Sequence, residues 1–522
     1  MSPHVKEGWL YMSEKYRGLS PAEFFHRNKE IAGFSNPSRA LYQTVRELVE
    51  NSLDATETHG ILPYIDIEVR LHEDRPEWVT LRVADNGIGI PAHEIPNVFG
   101  RVFYGSKYVV RQTRGVFGLG VKMAVLYAQM TTGKPIYVKS STRDSDVVAE
   151  YLLYIDISRN IPHVQKMRIK KKNKNWHGTI VRLTLEGAWL QSKKRIEDYI
   201  RRTALISPYA TIRYRSPDGE LLFERVSKEL PEPPQIGKYH PKGVDIEILK
   251  DLIRRSNNND MTLAGFLEKY FEGVGEKIAQ EFLTWAGFQP DTKVKELKLA
   301  DLEKLATAMK NFPKWRRPRP LTLSPLGPEL LKKGVKSILK PEFATAVIRP
   351  PSSYGGHAFI VEAAIAYGGE IPPQDNVLLL RFANKMPLLY DEGVDVSRKI
   401  VDSIDWSIYK IKFPAPVAVV THVCSTKIPF KGVGKEAIAD VPELEHELEI
   451  AIRDVARRLR IYLSKLEKMY EVKRKEVTIR KYMGEVSSSL AYVLNMDPNS
   501  ISSLLEELLK KELEKKEVTV NA

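Results

Sequence analysis

Cysteine is almost absent from this chain. One residue in 522, Cys424, excludes an internal disulfide and a multi-cysteine zinc site, and it fits a reducing compartment. Long hydrophobic runs are also missing: none approaches the roughly twenty residues of a membrane span. The N-terminus has no short apolar core after basic residues, so no signal peptide is expected and the chain is placed in the cytoplasm, without a membrane role. Acidic residues fall short of basic ones, 66 against 80, which leaves a net charge of +14. That excess favours a polyanionic partner such as DNA, or reflects a basic solvated surface; charge alone does not choose. The hydrophobic fraction of 43% is that of ordinary folded domains, and the length predicts two to four of them.

What is present is concentrated between Asn36 and Lys122. Asn36-Pro37 reads as an N-cap followed by proline at the first helical position. Leu41, Val45, Leu48 and Ser52 recur on one helical face, and Glu47, Asn51 and Asp54 form a polar stripe beside it. That stripe is either solvated or part of a site. Ile65, Ile67, Val69 and Leu71 then alternate with polar residues, as in a half-buried strand. On the next strand Val79, Leu81, Val83 and Asp85 share one face, so Asp85 points the way the core residues do. A carboxylate there needs a partner. It either caps the turn at Gly87-Ile88-Gly89 or accepts a hydrogen bond from an exocyclic amine such as that of adenine. A third piece is Tyr104-Gly105-Ser106-Lys107, followed by Arg114-Gly115-Val116-Phe117-Gly118-Leu119-Gly120-Val121-Lys122 and a helical run. Glycines leading into a helix start expose N–H donors that suit phosphate. The cluster lacks the Gly-Lys-Ser/Thr ending of a P-loop and the early position of a Rossmann fingerprint.

In this order, the three pieces resemble the GHKL superfamily of ATPases: DNA gyrase, the related heat-shock chaperone, sensor histidine kinases and MutL repair proteins. Its Glu-x-x-x-Asn motif is matched by Glu47 and Asn51, its Asp-x-Gly-x-Gly by Asp85, Gly87 and Gly89, and its glycine lid by Gly115, Gly118 and Gly120. A later strand Gly-Thr is matched by Gly178-Thr179. The wording Arg-Glu-Leu-Val-Glu-Asn-Ser-Leu-Asp-Ala and Tyr-Gly-Ser-Lys is similar to the ATPase (B) subunits of archaeal type IIB DNA topoisomerases, the topoisomerase VI group. The resemblance implies an α+β multidomain fold. It has an N-terminal strap and a Bergerat-type ATP-binding α/β sandwich (residues 1–229), then a helix-two-turns-helix insert (230–306). A transducer domain ending in a long helix (307–470) and a C-terminal partner-docking tail (471–522) follow. Val116-Phe117 departs from the glutamine-rich lid of many members.

Outside the pocket, Ser20-Pro21-Ala22-Glu23 reads as a capping box. Residues 1–19 are either an arm or a frayed terminus. Strands are expected near Ile136–Lys139, Val147–Ile157, Val164–Ile169 and Thr179–Leu185. Lys170, Lys171, Lys172 and Lys174 fall in a hairpin loop, either touching DNA phosphates or solvated. Helices are expected at Asp245–Arg254, Thr262–Tyr270, Glu276–Trp285 and Leu299–Met309. Strands at Phe343–Arg349, Val377–Phe382 and Val417–Val423, with a helix at Val396–Ile404, predict an α/β layer. Leu448, Ile452, Val455, Leu459, Tyr462, Leu466 and Tyr470 mark one long amphipathic helix. The segment beyond it either docks a partner or is partly disordered.

By resemblance, Asp85 reads adenine, Asn51 ligates Mg²⁺, and Glu47 is the general base. Ser106, Lys107, Gly115 through Lys122 and Thr179 wrap the phosphates, and Lys427 is the transducer lysine that reaches the terminal phosphate. The implied activity is ATP-driven closure of a self-dimer around DNA. One duplex then passes through a double-strand break made by the DNA-cleaving A subunit. The two proteins form an A2B2 heterotetramer associated with the nucleoid, which relaxes supercoils and decatenates DNA. The resemblance places the cleaving tyrosine in that partner; with 23 tyrosines here, inspection excludes none as a nucleophile. Two other readings share these residues: a MutL-like or chaperone-like ATPase, which should lack the helical insert, and a DNA-binding scaffold without strand passage.

Overall fold

The computed structural model describes residues 18–105, 110–115, 118–172, 175–256, 260–432 and 434–521, with side chains to 512. The expected N-terminal strap up to residue 17, together with Ser106, Lys107, Val116, Phe117 and Lys174, lies outside the described residues. Two compact units emerge: the first takes 18–105, 115–197 and 212–222, and the second takes 110–114, 198–211 and 223–521.

The first unit is a largely antiparallel sheet under a helical layer. Helix α1 (Pro21–Arg27) starts where the Ser20 hydroxyl accepts from the Glu23 N–H at 3.0 Å. Helix α2 (Pro37–Glu57) starts likewise, with the Asn36 side chain accepting from Arg39 N–H at 2.9 Å and proline at the first position. Strands β1 (Tyr64–Leu71) and β2 (Trp78–Asp85), short helix α3 (Ile95–Gly100) and helix α4 (Gly120–Thr132) follow. Next come β3 (Ile136–Ser141), β4 (Val147–Asp156), β5 (Ile161–Lys171) and β6 (Gly178–Glu186). Helix α5 (Trp189–Ile206), β7 (Thr211–Ser216) and β8 (Gly219–Phe223) complete this part of the chain. The strand order is β5-β4-β3-β6-β2-β1-β7-β8. On β2 the alternation holds: Val79, Leu81 and Val83 are buried, and the sheet residues between them are half-buried. Helices α2 and α4 pack on each other, and both touch β6. Helix α4 is apolar nearly all round, with Val121 and Met123–Ala128 buried, as a helix enclosed by a sheet and a neighbouring helix should be.

One expectation shifts here. Strand β5 continues to Lys171, because Lys170 and Lys171 pair with Val148 and Val147 of β4. These two lysines therefore lie on an edge strand rather than in a loop. Lys172 follows, with its ammonium donating to the carbonyls of Thr142, Arg143 and Ser145.

The second unit begins with a helical block: α6 (Ile246–Arg255), α7 (Leu263–Tyr270), α8 (Glu276–Ala286) and α9 (Leu299–Asn311). Its core runs from Val244 to Trp315, with Phe282 against the rings of Phe312 and Trp315 at 5.3 and 4.8 Å. The packed block thus extends past residue 306, since α9 and the aromatic residues after it supply one wall.

Helix α10 (Pro328–Leu339) then leads into a second sheet. Its strands are β9 (Phe343–Ile348), β10 (Ser352–Tyr354), β11 (His357–Tyr367), β12 (Leu378–Ala383), β13 (Met386–Leu388) and β14 (Val417–Ser425), with helix α11 (Val396–Ser403) between β13 and β14. The path is β10-β11-β14-β12-β13, with β9 on β11, and β12 runs parallel to β14. The central strand β11 is buried on both faces. Phe359, Val361, Ala363 and Ile365 face the main core, while Ala358 and Ile360 face Leu323 and Cys424. Helix α12 (Pro442–Leu494) spans 53 residues, about 80 Å at 1.5 Å per residue. Its first half buries Leu444, Leu448, Ile452, Val455 and Leu459 in this core. It runs unbroken through residues 470 and 471. It turns at Asn495, in the left-handed conformation, into α13 (Pro498–Asn521), which folds back along it. No helix among the described residues is long and apolar enough to cross a membrane.

A candidate nucleotide site and a lysine-bearing loop

The site in the first unit is built where β2 ends against α2. Asp85 Oδ1 accepts from the N–H groups of Gly87 (2.9 Å) and Thr179 (3.2 Å), and Oδ2 accepts from the Ser52 hydroxyl at 3.0 Å. The residue is only half-buried, yet its carboxylate is enclosed by these three partners. Burial pushes its pKa up to about 6, and the hydrogen bonds from Gly87, Ser52 and Thr179 offset only part of that rise. The turn after Asp85 is docked on the helix, since Ile88 N–H donates to the Ala55 carbonyl at 3.2 Å. At Gly89 the backbone has φ +75°, and a Cβ would lie 1.9 Å from the Ser141 carbonyl oxygen, so only glycine fits. His177 closes the turn from the start of β6, with Nδ1 2.7 Å from the Gly87 carbonyl oxygen. Behind it, the Ser140 and Thr179 hydroxyls pair at 3.0 Å.

Glu47 and Asn51 lie one turn apart on α2, half-buried, with Asp54 fully buried further along. Asn51 Nδ2 donates to the Glu47 carbonyl at 2.8 Å, so the amide oxygen is the atom of this residue that could hold a cation. The Glu47 carboxylate lies against the first residue of α4: a Cβ on Gly120 would sit 1.7 Å from Oε2. The unpaired N–H groups of a helix's first turn favour an anion there. Gly118 has φ +57°, and Leu119 precedes the helix. Val121 is core. Lys122 is nearly fully buried, with its ammonium donating to the Tyr104 carbonyl at 2.7 Å, so it ties the Tyr104-Gly105 segment to α4. Gly115 is described, half-buried, at the near end of the glycine-rich segment.

Lys427 belongs to the second unit, in the loop after β14. It is exposed, and its backbone N–H donates to the Ser425 hydroxyl at 3.2 Å. Its neighbour His357 is held neutral: burial, and then the Lys427 charge, push its pKa down to about 4.

Ser52 and His177 are site residues that sequence reasoning did not assign. A signal for Ser52 existed, because it is the one polar residue on an otherwise apolar helical face. His177 had none. Also unforeseen was the buried pair Arg46–Glu50 at 2.8 Å, one turn apart on α2.

An enclosed carboxylate at a strand end, a glutamate and asparagine on the facing helix, and a glycine-rich approach to a second helix together define a nucleotide-binding ATPase domain. Residues 36–185 match the family described as histidine kinase-, DNA gyrase B-, and HSP90-like ATPase. Residues 318–475 match the family described as topoisomerase VI B subunit, transducer. The B subunit of type 2 DNA topoisomerase 6 from Pyrobaculum aerophilum is 53% identical over 95% of this chain and 94% of its own length. That of Sulfurisphaera tokodaii is 46% identical over 97% and 96%. Among solved structures, the N-terminal domain of a DNA repair protein aligns with a TM-score of 0.40 at 11% identity, covering 84% of this chain and 99% of that one. The chain belongs to the family of type 2 DNA topoisomerase 6 B subunits.

Proposed function

We propose that this topoisomerase subunit binds ATP between α2, the Asp85 turn and the start of α4, and that hydrolysis there drives passage of one DNA duplex through a break made by a partner, the DNA-cleaving A subunit. The observation that carries the reading is Asp85. Its carboxylate is buried at an energetic cost that an amine donor such as adenine N6 would relieve. Thr179, Gly87 and Gly89 frame that end of the pocket. Ser106, Lys107 and the segment Gly115, Val116, Phe117, Gly118, Leu119, Gly120, Val121 and Lys122 take the phosphates, largely through backbone N–H groups.

Glu47 is the base. It accepts the proton of a water whose oxygen bonds to the γ-phosphorus as the bond to the bridging oxygen breaks, releasing ADP and phosphate. Asn51 fits Mg²⁺ through its amide oxygen, the hard ligand that ion prefers. When bound, the ion would neutralise charge between the phosphates. Lys427 supplies a compact positive charge toward the terminal phosphate. Replacing Lys427 by alanine lowers kcat for ATP hydrolysis by about 10²-fold and leaves the adenine end untouched; unchanged turnover contradicts its role.

Gly120→Ala is a sharper probe of the base. The carboxylate is the movable end of a side chain, so the fold accommodates the methyl group. The base is nevertheless displaced, and misplacement on the order of 1 Å costs roughly 10²-fold in rate. A folded Gly120→Ala chain with parental turnover would mean that Glu47 is not the base.

DNA and the cleaving subunit enter as partners of the same cycle. The net charge of +14 and the β5 edge, with Lys166, Arg168, Lys170 and Lys171 exposed, suit a duplex backbone. Near its turn the hairpin of α12 and α13 exposes Tyr492, Val493, Leu494 and Met496, an apolar end suited to the cleaving subunit. ATP-dependent self-dimerisation and an A2B2 assembly complete the reading. The decisive assay combines the purified chain with the cleaving subunit and supercoiled or catenated DNA: relaxation and decatenation that require ATP support it. ATP hydrolysis without strand passage points to a repair- or chaperone-type ATPase.

A further inference from the structure

The second unit contains a buried polar clasp that the roles above do not use. Asn384 and Lys385 form the two-residue turn between β12 and β13, with φ of 49° and 63°. Such a turn accepts asparagine or glycine alike. Asparagine adds a side chain, here almost fully buried. Its Nδ2 donates to the carbonyls of Thr113 (3.1 Å) and Ser425 (2.9 Å), and its Oδ1 accepts from Ser425 N–H at 2.9 Å. Ser425 ends β14 two residues before Lys427 and also bonds the Lys427 N–H. Thr113 lies two residues before Gly115, where the glycine-rich segment begins.

Other bonds hold the same stretch of chain. Gln112 N–H donates to the Thr322 carbonyl at 2.8 Å, and its side-chain oxygen accepts from Ser324 N–H at 2.8 Å. The turn itself is braced from beneath. His422 Nε2 accepts from Lys385 N–H at 2.9 Å, and its Nδ1 meets the Glu362 carboxylate at 2.7 Å. That carboxylate also takes the N–H groups of Leu326 and Gly327 at 3.0 and 2.6 Å. A buried network whose members satisfy one another in this way is rigid and specific in geometry.

We infer that Asn384 is a positioning residue for ATP hydrolysis: one amide fixes the chain entering the glycine-rich segment to the strand end that carries Lys427. The inference rests on the proposed phosphate contacts of that segment and of Lys427. Nucleotide-driven movement at one root is then passed to the other through Asn384, without Asn384 touching the nucleotide.

The test compares two variants in the full chain, assembled with the cleaving subunit and DNA. Asn384→Gly keeps the turn and deletes the clasp. Asn384→Asp keeps the acceptor for Ser425 N–H and turns an oxygen toward two carbonyls. Both are expected to lower kcat for ATP hydrolysis by about tenfold while the KM for ATP moves by less than roughly twofold. Hydrogen exchange is expected to rise together at the Ser425 amide and across residues 110–115 in Asn384→Gly. Parental kcat in folded Asn384→Gly overturns the inference, as does a rise in exchange at one root alone. If Asn384→Gly does not fold, the kcat and KM of Asn384→Asp decide by the same criteria. Lys427→Ala is measured alongside. If it is impaired while Asn384→Gly is not, only the clasp fails; if Lys427→Ala is itself unimpaired, the phosphate-contact reading fails.

Discussion

Glu47→Ala is expected to abolish ATP turnover while leaving nucleotide affinity close to that of the parent chain. The carboxylate sits on α2 against the first residue of α4, where phosphates would approach, whereas the carboxylate that would read the base lies on Asp85 at the end of β2. A general base contributes about 10²–10⁴-fold to rate, so steady-state hydrolysis should fall by that factor. Ser52, Gly87 and Thr179 hold Asp85 independently of Glu47, so binding of a non-hydrolysable ATP analogue at the proposed adenine end should survive. Strand passage with the cleaving subunit should be lost once turnover is. Turnover within about threefold of the parent, in a chain that still binds nucleotide, would remove Glu47 from the chemistry.

The second large effect falls on affinity. Asp85→Ala removes the proposed acceptor for the adenine amine and leaves the N–H groups of Gly87 and Thr179 without this partner. A hydrogen bond involving a charged group is worth about 1.5–3 kcal/mol, so nucleotide binding should weaken by roughly 10- to 100-fold. The same carboxylate makes binding pH-dependent. Its folded-state pKa is raised from 3.8 to about 6 by burial. The folded chain therefore favours the protonated form. That contribution to stability is full below 3.8, is lost as pH rises through about 6, and amounts to about 3 kcal/mol. An amine donor favours the charged form, so nucleotide binding near pH 6 should release a proton. Affinity should weaken by up to about tenfold per unit as pH falls below 6. Calorimetry in buffers of different ionisation enthalpy reads the proton directly, and Asp85→Ala should abolish its release.

The pocket is the most legible part of the sequence, because its geometry follows from two local periodicities. Helical spacing puts Glu47 and Asn51 on one stripe, and strand alternation puts Asp85 on the core side of β2; both placements are seen in the fold. The partners of Asp85 are less accessible. Thr179 lies 94 residues away, and His177 reaches the turn only because β6 pairs with β2. Strand β11 is hidden from periodicity because both of its faces are covered. Its run from Ala358 to Ala366 is continuously buried and shows no alternation. The reach of α12 is obscured for the opposite reason. Beyond Leu463 most of its residues are exposed, so the apolar stripe that marks a helix against a core fades. Lys427 carries no local signature as a loop lysine, and only the resemblance singles it out. Asn384 reads as an ordinary turn residue. Its importance depends on Thr113, 271 positions away, and no periodicity reports a contact at that separation.

ATP is expected in the pocket between α2, the Asp85 turn and the start of α4. A crystal structure of the chain grown with a non-hydrolysable ATP analogue and Mg²⁺ locates it. The adenine amine is expected on the Asp85 carboxylate, the cation on the Asn51 amide oxygen, and the phosphates along the segment that leads into α4, with Glu47 facing the γ-phosphorus. A nucleotide bound elsewhere, or one whose base lies away from Asp85, would contradict this placement.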